Sequence, residues 1–142
     1  MKSNAKAVFK RLKLKFDKAI LDAPKALANE GVKQFVNNFE TQSFEGNKWK
    51  EVQRREPGTF AYKYPKSKGL SRRTRPILIG KTRRLRNATK DSIKHASTRR
   101  IRWANSTDYG VYLNEERPFM KTGRKFSRAL KMKYYSILKR VK

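Results

Sequence analysis

Two long stretches of the sequence contain many basic residues and no acidic residue, and they limit where a folded core can lie. Residues 57–90 carry 11 lysines and arginines, and residues 117–142 carry 10. Residues 91–116 hold four basic and four acidic residues, whereas residues 1–56 hold 13 and seven. Cationic head groups have to stay solvated, so we expect lysine and arginine stems to cover much of the core.

The formal net charge of the 142 residues is +27. A domain with this charge repels itself, so a polyanion or an acidic protein surface is the expected compensation. A solvated basic surface without a partner is the plain alternative. Hydrophobic residues make up 37% of the chain and aromatic residues 11%. These fractions are too large for a disordered basic tail, and we expect a single folded domain over residues 1–142.

The composition excludes several kinds of site. The sequence has no cysteine, which excludes disulfides, thiol catalysis and cysteine-bound zinc. His95 is the single histidine, so a multi-histidine metal site cannot form within one chain. No apolar run approaches the roughly 20 residues that span a bilayer, and residues 1–20 lack a secretory signal pattern. We therefore expect a protein made in the cytoplasm that is not an enzyme and has no metal, cofactor or membrane partner.

Apolar residues recur at steps of three and four through residues 1–39, which predicts a helical region with one buried face. Asp22 and Pro24 resemble an N-cap and a first-turn proline, so two separate helices and one kinked helix both fit. The four phenylalanines of the pattern are predicted core residues. The apolar positions are Ala5, Val8, Phe9, Leu12, Phe16, Ala19, Ile20, Leu27, Ala28, Val32, Phe35, Val36 and Phe39.

Residues 40–75 lose this periodicity because glycines and prolines interrupt it, and we predict a long basic loop there. Such a loop in a compact domain is usually functional. Trp49 is the expected anchor of the loop against the helices. Thr59–Tyr64 alternates weakly and is predicted to be a short strand.

Residues 76–121 are predicted to form a sheet with short helices. Thr82–Asn87 is an expected helical turn with Leu85 inside, and Asp108–Asn114 is another. A final helix is expected within residues 122–142, from about Arg124. The class is α+β, with N-terminal helices, a small antiparallel sheet in the second half and a C-terminal helix.

Ser92–Ala104 has the alternation of a half-buried hairpin, which is the predicted sheet. Ile101 and Trp103 are expected to face the core, as are Ile93 and Ala96. The latter pair stands three residues apart, so it does not keep the strict period of a strand.

Seven basic side chains form the densest cluster. Guanidinium groups bind phosphates and carboxylates bidentately, so these residues are candidates for contact with a DNA backbone or an acidic partner. A solvated face is the alternative. Aromatic residues do not interleave with them, which disfavours base stacking and favours backbone contact without sequence readout. The cluster is Arg72, Arg73, Arg75, Lys81, Arg83, Arg84 and Arg86.

Two other patterns suggest chemistry only weakly. Asp108, Glu115 and Glu116 are carboxylates that a metal-dependent nuclease would use, but adjacent carboxylates are more typical of ion pairs. Gly80-Lys81-Thr82 resembles the end of a phosphate-binding loop, yet Arg75 stands where its first glycine is required.

The order of landmarks over residues 30–142 resembles the phage virion morphogenesis, or tail completion, family. Arg83, Gly110 and Leu113 depart from that family's glycine, alanine and histidine. The matching elements are Phe39–Phe44, Gly46-Asn47-Lys48-Trp49, Leu78-Ile79, Thr82 with Leu85-Arg86, the Ser92–Ala104 hairpin, Tyr109-Gly110 and Arg117-Pro118-Phe119.

The resemblance implies a tail completion or neck protein of a tailed-phage virion, a ring at the head–tail junction around the DNA channel. It implies a homo-oligomer, a hexamer or dodecamer, whose partners are other neck, portal-adaptor or tail proteins and packaged double-stranded DNA. Trp49, Leu85, Tyr109, Arg117, Pro118 and Phe119 are then assembly or fold motif residues. A free basic nucleic-acid-binding accessory protein is the alternative function.

Overall fold

The structure is a computed structural model that describes residues 3–64, 74–79 and 82–141. The fold is α+β, as predicted: a long N-terminal helix, two small antiparallel two-stranded sheets, and a C-terminal helix that packs on the first helix. Contacts between residues divide the chain into two compact units. The first unit contains the long N-terminal helix as far as Gln34 together with Ser92–Ala104 and the segment from Thr122 onward, and the second contains the remaining parts.

Helix α1 runs without interruption from Ser3 to Thr41 and contains Pro24. It is therefore one helix, and Asp22 does not begin a second one. The helix ends where Gln42 adopts a left-handed φ of 50°, a conformation that commonly terminates a helix.

The apolar face of α1 is buried only in its second half. Ala28, Phe35 and Phe39 are buried, as the periodicity predicts. Phe9 and Phe16 are exposed, so the prediction that they are core residues is wrong. The helical period identifies an apolar face, but it does not say whether the same chain covers that face.

A hairpin follows α1 inside the predicted loop region. Strand β1 (Ser43–Phe44) pairs antiparallel with β2 (Asn47–Lys48). The two turn residues, Glu45 and Gly46, both have positive φ, at 54° and 94°, which is the pattern of a type I′ turn. The hairpin returns the chain to the end of α1, where the N–H of Trp49 donates to the carbonyl of Gln42 at 2.8 Å.

The strand predicted over Thr59–Tyr64 is wrong, because this segment forms the short helix α2, Phe60–Lys63. The Thr59 hydroxyl accepts a hydrogen bond from the N–H of Tyr62 at 3.3 Å and caps the helix. A 3₁₀ turn, Gln53–Arg55, precedes it. Alternation over six residues is too short a pattern to separate a strand from a capped turn.

The predicted second-half hairpin is confirmed as β3 (Ile93–Ala96) and β4 (Ile101–Trp103), paired antiparallel. Ile93 lies opposite Trp103 and Ala96 opposite Ile101, with a bulge between Ile93 and His95. The bulge adds one residue to β3. It therefore places Ile93 and Ala96 on one face although they stand three residues apart. Ala96 nevertheless remains exposed at the end of the strand.

The core of the first unit surrounds Trp103. Its Nε1 donates to the carbonyl of Ala28 at 3.0 Å, and its ring meets Phe126 edge to face at 5.7 Å. Phe126 belongs to helix α5, Arg124–Lys139, which begins at the predicted residue. Gly31 of α1 lies directly against the indole.

The second unit contains helices α3 (Arg84–Lys90) and α4 (Gly110–Glu116). Each begins two residues later than predicted. Arg83 has a left-handed φ of 53°, which keeps it out of α3. Within the described residues, the buried core of this unit consists of Phe39, Trp49, Ile77, Leu85 and Phe119.

Candidate functional site

Four members of the predicted basic cluster are described, and three of them line one pocket. Arg75, Arg83 and Arg86 share it, whereas Arg84 is exposed and lies outside it. The pocket has a volume of about 510 Å³. Its other lining residues are Phe39, Glu40, Pro76 and Ile79. Arg72, Arg73 and Lys81 lie outside the described residues.

Arg84 and Arg86 stand two positions apart in sequence, and helix α3 places them on different sides. Leu85 is 3% exposed and fixes the inward face of the helix. Arg86 lies beside that face and its Nη2 contacts Oε1 of Glu40 at 2.8 Å. Because both partners line the pocket, the ion pair holds one guanidinium at its wall.

The segment that carries Arg75 is held by side chains from earlier in the chain. Arg54 donates from Nη2 to the carbonyls of Arg75 and Pro76, at 3.3 and 3.2 Å. Gln42 accepts the N–H of Ile77 on its Oε1 at 2.9 Å. These bonds fix the backbone of residues 75–77 and leave the Arg75 side chain at the pocket.

Three cationic side chains and one carboxylate surround a partly apolar floor, so the pocket is suited to an anion. A phosphate or a carboxylate would accept forked hydrogen bonds from the guanidinium groups. Sequence reasoning identified Arg75, Arg83 and Arg86. It missed Glu40 and Arg54, because no local pattern marks a residue that contacts a segment more than 20 positions away.

Most of the motif residues of the resemblance meet in the core beside this pocket. The Trp49 ring lies edge to face against Phe39 at 5.9 Å, and Phe119 packs on the other side of Phe39 at 5.1 Å. Trp49 Nε1 donates to the carbonyl of Pro118 at 3.2 Å. Trp49 is therefore the anchor that the sequence predicted.

The Arg117-Pro118-Phe119 segment is fixed by hydrogen bonds on both sides. Arg117 Nε donates to the carbonyl of Lys50 at 3.2 Å. Asn114 Oδ1 accepts the N–H groups of Phe119 and Met120, at 2.9 and 2.8 Å. Tyr109 is the exception among the motif residues, because its side chain is exposed rather than packed in this core.

The remaining chemical candidates are dispersed. Among the described residues, no group of three or more histidine, aspartate or glutamate side chains could hold a metal ion. His95 is exposed and contacts only the Ser97 hydroxyl, at 3.1 Å, among the hydrogen bonds described. Glu116 forms an ion pair with Arg117 at 2.9 Å.

In the part of the chain that the structure covers, no helix has the length and apolar character needed to cross a bilayer. No protein-family model, curated protein or solved structure matches the chain.

Proposed function

We propose that this chain is a structural virion protein of a tailed phage, a tail completion or neck subunit that assembles into a ring at the head–tail junction. The observation that carries the proposal is the shared core of the motif residues. Phe39, Trp49 and Leu85, together with Pro118 and Phe119, stand far apart in sequence and meet in one place. Residues that resemble a family signature and also build one core support a common fold better than scattered matches do.

The arginine pocket supports contact with DNA or with an acidic neighbour. Packaged DNA presents phosphates, and an adjacent neck, portal-adaptor or tail protein presents carboxylates. Both are bound by the same guanidinium groups. Contact with the DNA backbone would be independent of base sequence, which is what a subunit around a DNA channel requires.

The proposal predicts a closed ring, a hexamer or dodecamer, when the full chain is purified. Sedimentation velocity and negative-stain electron microscopy, with the chain alone and with the portal and tail proteins encoded beside it, test this directly. Neighbouring reading frames for capsid, portal and tail proteins would support it. Open chains, or a monomer with every such partner, would contradict it.

A free basic nucleic-acid-binding accessory protein is the second candidate, favoured by the net charge of +27. That function predicts a monomer that binds DNA or RNA tightly, with an affinity that falls steeply as salt rises. The same sedimentation experiment, repeated with a DNA duplex at two salt concentrations, separates the two candidates.

A further inference from the structure

The first half of α1 presents an apolar stripe to solvent. At 100° per residue, the stripe side chains fall within an arc of about 120° on the helix surface. Phe9 is 72% exposed and Phe16 is 45% exposed. The stripe consists of Val8, Phe9, Leu12, Phe16 and Ile20, all of which are exposed.

Cations border this stripe. On the helical projection, Lys15 lies beside Val8 at one edge, and Lys13 lies beside Ile20 at the other. Residues 3–22 contain six lysines and arginines against two aspartates. A stripe that meets an identical stripe would bring like charges together, so pairing of two α1 stripes is disfavoured.

Helix α4 carries a surface of the opposite charge. Residues 103–116 contain three acidic residues and no lysine or arginine. Val111 and Tyr112 are exposed, at 68% and 72%. Glu115 follows them by four and three positions, so the three side chains lie on one helix face. We name Asp108, Val111, Tyr112 and Glu115 the α4 patch.

We propose that the α1 stripe of one copy binds the α4 patch of a second copy. Phe9 and Phe16 pack against Val111 and Tyr112, while the bordering lysines face Asp108 and Glu115. Each surface combines exposed apolar groups with an excess of one sign of charge, and the signs of the two excesses are opposite. Such complementarity fixes the choice of partner and its orientation.

This contact is heterologous, because each copy uses a different surface on each neighbour. A heterologous contact continues from copy to copy and yields either a ring or an open chain. This contact adds an interface to the ring of the proposed function. The inference rests on that proposal only for the closure of the ring. The contact itself is argued from the two surfaces.

Two full-length variants test the pairing. The double variant Phe9→Gln, Phe16→Gln disables the stripe, and glutamine keeps the helix propensity high. The double variant Asp108→Lys, Glu115→Lys reverses the charge of the patch, and neither residue has a hydrogen bond or an ion pair among the side-chain contacts described. Sedimentation velocity measures association, and circular dichroism checks that each variant retains its helix content.

Each variant alone is expected to associate at least tenfold more weakly than the unmodified chain. Mixed in equal amounts, they should form a discrete dimer, because the intact stripe of one meets the intact patch of the other. Neither free end of that dimer can extend. The matched control, Leu14→Gln with Leu21→Gln, removes two exposed leucines off the stripe and should leave association unchanged.

Three outcomes overturn the inference. One is a mixture of the two variants that stays monomeric while the unmodified chain forms rings, and this outcome leaves the proposed function standing. Another is a control that weakens association as much as the stripe variant does. A third is loss of binding to phosphatidylserine vesicles by the stripe variant, without any change in self-association, which would assign the stripe to an anionic membrane surface. A mixed dimer without closed rings from the unmodified chain supports the inference and contradicts the ring.

Discussion

At Gly31 the indole of Trp103 leaves no room for a side chain. A Cβ at this position would lie 2.5 Å from Cζ2 of Trp103. The indole is also held by its hydrogen bond to Ala28 and by the ring of Phe126. A rigid ring fixed on two sides cannot move away as a flexible side chain would, so the missing side chain is a packing requirement.

Gly31→Ala is therefore expected to destabilise the first unit. Alanine in a helix interior gains about 1 kcal/mol over glycine, whereas overpacking costs about 1–3 kcal/mol. The close contact decides the sign, and the net change is a loss measured by urea denaturation. In a Trp103→Phe background the loss should shrink, because the smaller ring leaves space. A penalty of equal size in both backgrounds would contradict this assignment.

Asn114 is expected to stabilise the Arg117-Pro118-Phe119 segment through its side-chain oxygen. Asn114→Ala leaves two N–H groups without that acceptor, and an unsatisfied buried donor costs about 1–3 kcal/mol. Asn114→Asp keeps an acceptor oxygen of the same shape and is the matched control. Thermal unfolding should show a lower Tm for the alanine variant and a nearly unchanged Tm for the aspartate variant. Equal losses would mean that the amide nitrogen matters instead.

At the scale of elements, the sequence predicts what depends on local periodicity. The inward position of Leu85, the start of α5 and the β3–β4 hairpin all follow from spacing. The β1–β2 hairpin has no comparable signal in the sequence, because its strands are two residues long and because Glu45 is not a typical type I′ turn residue.

The candidate site was predictable only in part. The sequence marks a basic cluster, but it cannot show that Arg75 and Arg86 reach one pocket while Arg84 does not. That outcome depends on contacts from Arg54 and Glu40, which lie on earlier elements. Long-range contacts of this kind have no local signal.

Because Arg75 lines the pocket and Arg84 does not, we expect the same charge reversal at these two positions to weaken DNA binding by different amounts. Arg75→Glu places a carboxylate at the pocket, whereas Arg84→Glu changes the charge of an exposed position outside it. Fluorescence anisotropy with a DNA duplex of about 20 base pairs should show weaker binding for Arg75→Glu and a salt slope smaller by about one. Arg84→Glu should change binding less. Equal effects would indicate that the cluster acts as diffuse charge rather than as a pocket.

For the whole molecule, net charge is the dominant electrostatic property. Ion pairs join Glu51 to Arg55, Glu40 to Arg86 and Glu116 to Arg117. The 11 acidic residues cannot balance 38 basic ones, so the net charge of +27 is not compensated within the chain. Surface pairs of this kind contribute about 1 kcal/mol or less each. Self-repulsion therefore weakens the folded state at low ionic strength.

Salt should accordingly raise the thermal stability of the chain. Raising NaCl from about 10 to about 300 mM shortens the screening length from about 30 Å to below 10 Å, so repulsion between distant cations falls. We expect Tm to increase over this range when unfolding is followed by circular dichroism. An equal osmolarity of sucrose serves as the control, since it stabilises without screening charge. A Tm that falls with NaCl would contradict a stability limited by self-repulsion.

The chain has two tryptophans, and each lies in a different compact unit. Trp49 is part of the Phe39 core, and Trp103 packs on Gly31. Each unit thus has its own intrinsic fluorophore. Replacing either indole by phenylalanine leaves one tryptophan, and excitation at wavelengths that the six tyrosines do not absorb then follows the unfolding of one unit without an added label.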